Sequence, residues 1–161
     1  MSAPFRDYLK LLREVGHLLE KLAALAEQKA AAVRQDDLLG LDEVLKQEQA
    51  LGLNLRGLEL RRQKLVPQLG LDGVRLEKLV SKCPPELEKE ARDTVHELQN
   101  SYQIYRNCSE MARTTLELNL HQIEKLVIEA GGDPKDLDTS MGYVSPKGSE
   151  PPRNMKTDFR A

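Results

Sequence analysis

Apolar residues recur every three or four positions over three long stretches of the chain. The first stretch begins after Ser2 or Pro4 and runs to about Arg34. Its stripe consists of Phe5, Tyr8, Leu12, Val15, Leu19, Leu22, Ala26, Lys29 and Val33. Alternating steps of three and four place such side chains along one face of a helix. A flanking row widens this face beyond that of a two-stranded coiled coil, toward a bundle. That row is Leu11, Leu18, Leu25 and Ala32.

The second stretch runs from about Leu38 to Val66, after a break at Gln35-Asp36-Asp37. Its stripe consists of Leu41, Val44, Glu48, Leu51, Leu55, Leu58, Arg62 and Leu65. Either aspartate of the break can cap the new helix by accepting its free N–H groups. The break is either a tight hairpin or a bend in one continuous helix, and we favour the hairpin. Pro67 and Gly70 end the stretch.

The third stretch is the longest, from about Pro85 to Ala130, and a short amphipathic segment from Leu71 to Cys83 precedes it. Its stripe consists of Val95, Leu98, Tyr102, Tyr105, Ser109, Ala112, Leu116, Asn119, Ile123, Leu126 and Ala130. Gly131-Gly132 predicts the helix end. The three stripes together predict an all-α antiparallel bundle, made of a helical hairpin, one short helix and a longer third helix that overhangs the hairpin or bends across it.

The chain divides into two parts, a helical bundle domain at 1–130 and a C-terminal tail at 131–161. The tail has four of the chain's eight prolines and no apolar periodicity, so we predict that it is flexible or loosely docked. It still contains large apolar residues, among them Tyr143 and Val144. Such residues are typical anchors of a segment that orders on binding.

Composition indicates the cellular compartment of the protein and limits the classes of partner that it can bind. The chain has 161 residues and a formal net charge of −2, which favours neither nucleic acid nor an anionic membrane. Cys83 and Cys108 form no CxxC pair and no disulfide framework. The N-terminal residues lack the apolar core of a signal peptide, and no stretch approaches the ~20 apolar residues of a membrane span. We therefore expect a cytoplasmic protein that is not inserted in a membrane.

Two acid–histidine pairs have the spacing of di-iron bundle ligands, Glu14 with His17 and Asp93 with His96. Such a site needs two further inward glutamates, and bundles rich in Glu and Lys produce these pairs by chance. The sequence has no nucleophile motif and no phosphate-binding loop. We expect no catalytic residue, no metal and no cofactor, hence a protein that is not an enzyme.

Apolar residues cover more than one face of the third long helix near its end. Such a surface has to be buried by something. Either the other helices or the tail cover it, or it forms one wall of a groove for a partner helix. The partner-binding residues that we predict lie there and in the tail: Leu116, Leu120, Ile123, Leu126, Val127, Tyr143 and Val144.

The order of these segments resembles the FlgN-like flagellar chaperones. The most characteristic stretch is Asp37 to Leu51, with its acidic start and its Gln-Glu-Gln-Ala-Leu run. Arg61-Arg62 matches the basic end of that family's second helix. Tyr143, Gly148 and the terminal residues 158–161 match its tail.

The resemblance implies a chaperone of flagellar type III export, and it implies both partners. The chaperone would bind the C-terminal helices of hook–filament junction proteins, prevent their premature assembly and deliver them to the export gate. An alternative is a structural coiled-coil or helical-bundle oligomer, or an adaptor, with no export role. Lys29, Glu48, Arg62 and Asn119 interrupt the seams that such a coiled coil requires.

Overall fold

The computed structural model describes residues 2–133 and residue 135, and within them it contains four α-helices and no strand. The helices are α1 (Ser2–Arg34), α2 (Leu38–Gln68), α3 (Leu76–Lys82) and α4 (Glu88–Glu129). A 3-10 turn at Pro85–Leu87 leads into α4, so the longest helix begins three residues later than predicted. The all-α fold, with a hairpin, a short helix and a longest helix in that order, is confirmed.

Helix α1 is the centre of the bundle, since it packs along α4 on one side and along α2 on another. Every residue of its predicted stripe is buried, including the polar Lys29. The flanking row is buried as well at Leu11, Leu25 and Ala32. Two adjacent rows of buried side chains explain why one helix can pack against two neighbours. Helix α2 lies against α1 and hardly contacts α4.

The tight hairpin between α1 and α2 is confirmed, and its turn uses both aspartates. Asp36 has a positive φ of 54°, a conformation that aspartate tolerates better than most residues. The Asp37 carboxylate then accepts a hydrogen bond of 2.9 Å from the Gly40 N–H, which makes it the cap of α2. The pairs Lys29–Glu48 and Arg61–Glu14 join the two helices in antiparallel order.

Helix α4 runs parallel to α1, because α2 brings the chain back to the start of α1 and the segment that contains α3 then reverses its direction. The Ser101 hydroxyl donates to Glu20, and the Cys108 thiol contacts Glu27. Residue numbers therefore increase in the same direction along both helices. The long helices run up, down and up in chain order, and the parallel pair makes the largest interface.

Candidate partner-binding surface

Helix α4 extends beyond the hairpin of α1 and α2. At the hairpin tip, the half-buried Leu116 packs against a small cluster that contains Val33 and Leu41. The last fully buried residue of α4 is Ala112. Residues 117–129, here called the free end of α4, continue for about 20 Å at 1.5 Å per residue. Of the two alternatives that the sequence left open, an overhang and a bend across the hairpin, the overhang is present.

The free end of α4 exposes several large apolar side chains. Leu118, Leu126 and Ile128 are 59%, 63% and 58% exposed. Leu120, Ile123 and Val127 are half-buried. The other described helices therefore leave this surface largely uncovered. Exposed apolar side chains grouped on one helix end typically mark a contact surface for a partner.

The structure describes five of the seven predicted partner-binding residues, and these lie on one helix segment. Four of them, Leu120, Ile123, Leu126 and Val127, belong to the free end, and Leu116 connects it to the hairpin tip. Tyr143 and Val144, like the tail domain from residue 136 onward, lie outside the described residues. Their predicted role is not tested.

The interior stripe predicted for α4 does not continue to its end. Leu126 and Ala130 belong to that stripe, yet both are exposed. A repeat of 3.5 residues drifts by about 20° per heptad around a straight helix. Past the hairpin tip α4 has no neighbour among α1–α3 that would hold the stripe inward, so its direction is no longer set by packing.

Two glycines terminate the free end in a Schellman motif. Gly131 has a positive φ of 86°. Its N–H donates to the Ile128 carbonyl at 3.0 Å, and the Gly132 N–H donates to the Val127 carbonyl at 2.8 Å. A Cβ atom at Gly132 would lie 2.9 Å from the Val127 side chain. The predicted glycine stop is confirmed, and it satisfies carbonyls that a helix end otherwise leaves open.

The acid–histidine pairs do not assemble into one site. The Glu14 carboxylate lies 3.7 Å from Arg61, and the His17 ring lies 3.8 Å from Glu20. On α4, the His96 ring faces Asn100 at 3.5 Å. In the described part of the chain, no three His, Cys, Asp or Glu side chains come close enough to hold one metal ion.

Both cysteines are free thiols, and neither sits in an activating environment. Burial raises the pKa of the Cys108 thiol, and the hydrogen bond to Glu27 raises it further. Burial also raises the pKa of Cys83, with a further contribution from Glu88. A raised pKa keeps a thiol protonated and poorly nucleophilic.

Sequence reasoning missed one exposed feature, on the outward face of α2. Leu53 and Leu60 are 67% and 57% exposed there. Together with Leu39 and Lys46 they form a row in which each residue lies seven positions after the last. This row lies on the side of α2 opposite its buried stripe, and its seven-residue spacing was the signal that would have identified the outward face.

These features define an α-helical bundle protein in which α4, the longest of the described helices, presents an uncovered apolar end. No described helix is long and apolar enough to span a membrane. The family described as FlgN protein matches residues 4–147. Because that match covers most of the chain, the protein belongs to the FlgN family, whose members are flagellar export chaperones in general. No curated protein and no solved structure matches the chain.

Proposed function

We propose that this protein binds the C-terminal helices of hook–filament junction proteins, prevents their premature assembly and delivers them to the flagellar export gate. In this proposal the protein acts in the cytoplasm, and its activity consists of binding and releasing its partners. It uses no cofactor and no catalytic residue. Membership of the FlgN family supports a role with flagellar export substrates, and the finer assignment of partners is the proposal.

The observation that carries the proposal is the free end of α4. A partner helix that lies along one side of it covers side chains that the bundle leaves in water, Leu118 and Leu126 among them. The hairpin tip packs against α4 at Leu116 and offers a wall against which the end of such a helix can lie. This is the helix-in-groove mode, in which apolar anchors at helical spacing supply the binding energy.

The size of the surface supports reversible binding. Full burial of a leucine side chain is worth about 1.5–3 kcal/mol. Leu126 still has 63% of its surface to bury, so its share is roughly 1–2 kcal/mol, or about 5- to 30-fold in Kd. A few anchors of this size give a complex that forms in the cell and still dissociates at the gate.

Titration of the protein with a purified hook–filament junction protein tests the proposal. We expect saturable binding in wild type and a loss of at least about tenfold in affinity in Leu126→Glu, because a charge replaces an apolar anchor. Ile104→Glu is the matched control. It lies on the same helix and is 54% exposed, but it sits beside the bundle rather than beyond it. Equal affinity of the two variants would refute the placement, and no binding by wild type would refute the proposal.

The tail is the second part of the proposed surface. Truncation after Gly132 removes Tyr143 and Val144, both of which we propose as contacts to substrate or gate. An aromatic ring with a hydroxyl suits an interface that is partly wet. We expect the truncated protein to keep its melting temperature and lose affinity. If the melting temperature falls by several degrees while binding persists, the tail stabilises the bundle and the partner surface lies elsewhere.

A further inference from the structure

The tip of the α1–α2 hairpin, residues 34–43, meets the free end of α4 at an inner corner. Leu41 lies in the small cluster against which Leu116 packs, and the half-buried Leu45 packs against the same cluster. Leu38 comes three residues before Leu41 and seven before Leu45, so all three lie on the face of α2 that is turned toward α4. Leu38 is nevertheless 75% exposed, because α1 and α2 both end at the tip.

Leu38 continues the apolar surface of the free end around this corner. Helix α2 is antiparallel to α1, and α4 is parallel to α1, so α2 and α4 run in opposite directions. The turn of α2 that holds Leu38 therefore lies level with the turn of α4 that follows Leu116. On that turn of α4, Leu120 is half-buried. A partner helix whose end rests in the corner covers Leu38 and Leu120 together.

Acidic side chains are concentrated around the corner. The hairpin tip contains three aspartates and one glutamate against one arginine, a net charge of −3. The free end of α4 contains three glutamates against one lysine, a net charge of −2. Because the whole chain has a formal net charge of only −2, the residues outside the corner are net positive. The corner is thus the acidic pole of the molecule.

Several of these carboxylates have no basic partner. Asp36 and Glu43 are exposed, Glu124 is half-buried, and none of them takes part in an ion pair within the described residues. They do not form a metal site, since no three His, Cys, Asp or Glu side chains of the described residues come close enough to hold one ion. Their negative charge repels nucleic acid and anionic membranes. It complements a protein segment that carries basic side chains.

From the exposed leucine and the unpaired carboxylates together we infer that the hairpin tip recognises a partner helix whose apolar face is flanked by lysine or arginine. This inference rests on the proposed function and adds the chemistry of the partner helix. The apolar face covers Leu38 and the free end of α4, while the basic side chains lie next to Asp36 and Glu43. A helix flanked by acidic residues is rejected at the same place by like charge.

The two kinds of contact respond differently to salt. Ion pairs between exposed groups are individually weak and are screened by salt. Loss of two such pairs should weaken binding by about three- to tenfold at low salt. The difference should vanish toward 1 M salt, where the Debye length is about 3 Å. The contribution of Leu38 should persist there, because burial of apolar surface does not depend on charge.

Titration of the full chain with a purified hook–filament junction protein at low and high salt tests the inference. We expect Asp36→Asn/Glu43→Gln to bind about three- to tenfold more weakly than wild type at low salt and equally well at high salt. Asparagine tolerates the positive φ of residue 36, so the turn is kept. Asp93→Asn/Glu97→Gln is the matched control. It removes the same two charges from exposed positions near the start of α4 and should bind as wild type does.

Two synthetic helical peptides test the charge preference without a junction protein. They share one leucine face, flanked by lysine in one peptide and by glutamate in the other. We expect wild type to bind the lysine peptide at least about tenfold more tightly at low salt, and Asp36→Asn/Glu43→Gln to reduce that preference. Leu38→Ala should weaken binding of the lysine peptide at low and at high salt. Ile104→Ala, at a position 54% exposed beside the bundle, should leave it unchanged.

Three results would overturn the inference. These are equal binding of the two peptides to wild type, wild-type affinity of Asp36→Asn/Glu43→Gln at every salt concentration, and unchanged affinity of Leu38→Ala. A junction protein that binds wild type tightly and is insensitive to these variants refutes the inference and leaves the proposed function standing. A junction protein that does not bind, together with the expected preference for the lysine peptide, refutes the proposed function and leaves the chemistry of the corner standing.

Discussion

The buried ion pair between α1 and α2 provides a quantitative test of the hairpin. The Lys29 ammonium lies 3.0 Å from the Glu48 carboxylate, and the two side chains are only 10% and 11% exposed. Both belong to the interior stripes of their helices, where apolar residues are the rule. Lys29→Met keeps most of the length of the unbranched side chain and removes the charge, which leaves the Glu48 carboxylate without its partner.

The expected magnitude follows from the burial of the pair. Removal of one partner of a buried pair costs about 3–5 kcal/mol, because an uncompensated charge stays in the interior. The remaining one-tenth exposure puts the loss for Lys29→Met near the lower end, about 3 kcal/mol. The double variant Lys29→Met/Glu48→Leu removes both charges. It should be as stable as wild type or more stable, by up to about 4 kcal/mol.

Urea unfolding followed by circular dichroism measures both variants and Glu48→Leu, which completes the double-mutant cycle. We expect the two single variants to be strongly destabilised and the double variant to recover. A solvated surface pair would instead give single variants that each lose less than about 1 kcal/mol of unfolding free energy, with losses that simply add in the double variant. That outcome would refute the reasoning, since it would mean that water reaches the pair.

Three further predictions concern the core, the helix end and a thiol. Leu12→Ala, at a position with 0% exposure, should lower the free energy of unfolding by about 2–5 kcal/mol in urea titrations. Gly131→Ala, at a φ of 86°, should speed amide exchange in the last turn of α4 while the urea midpoint stays unchanged, because the free end is not part of the core. Burial raises the pKa of the Cys108 thiol in the folded protein above its value in the unfolded chain. The protonated thiol therefore contributes fully to stability below the unfolded pKa, and this contribution is lost as the pH rises through the folded pKa. The alkaline loss of unfolding free energy should therefore be smaller in Cys108→Ala.

The residues that form the interior of the hairpin could be predicted from sequence, because the heptad spacing of apolar residues indicates which face of a helix is buried. All positions of the α1 stripe are buried, and Lys29 at one of them meets Glu48 of the α2 stripe. The capping aspartate and the glycine stops were predictable for a similar reason, since each depends on a few neighbouring residues. Local rules of this kind need no knowledge of the tertiary arrangement.

Features that depend on several helices at once could not be predicted. The extent of the parallel contact of α1 and α4, visible in Glu20–Ser101, depends on how the segment that contains α3 reverses the chain. The stripe of α4 taken alone did not place Leu126 in solvent, since its spacing continues past the hairpin tip; only the excess of apolar residues on neighbouring faces indicated a contact surface there. Where the neighbouring helix stops is a property of the assembled bundle, and the candidate partner-binding surface begins at that point.

Hydrogen–deuterium exchange of the full chain, alone and saturated with a hook–filament junction protein, tests the central claim most directly. Amides of an exposed helix end exchange faster than those of a packed core, and a bound partner slows them. We predict that the junction protein slows exchange across residues 116–129 and leaves the core of α1 and the outward face of α2 unchanged. Slowed exchange along α2 with none at the free end of α4 would contradict the account.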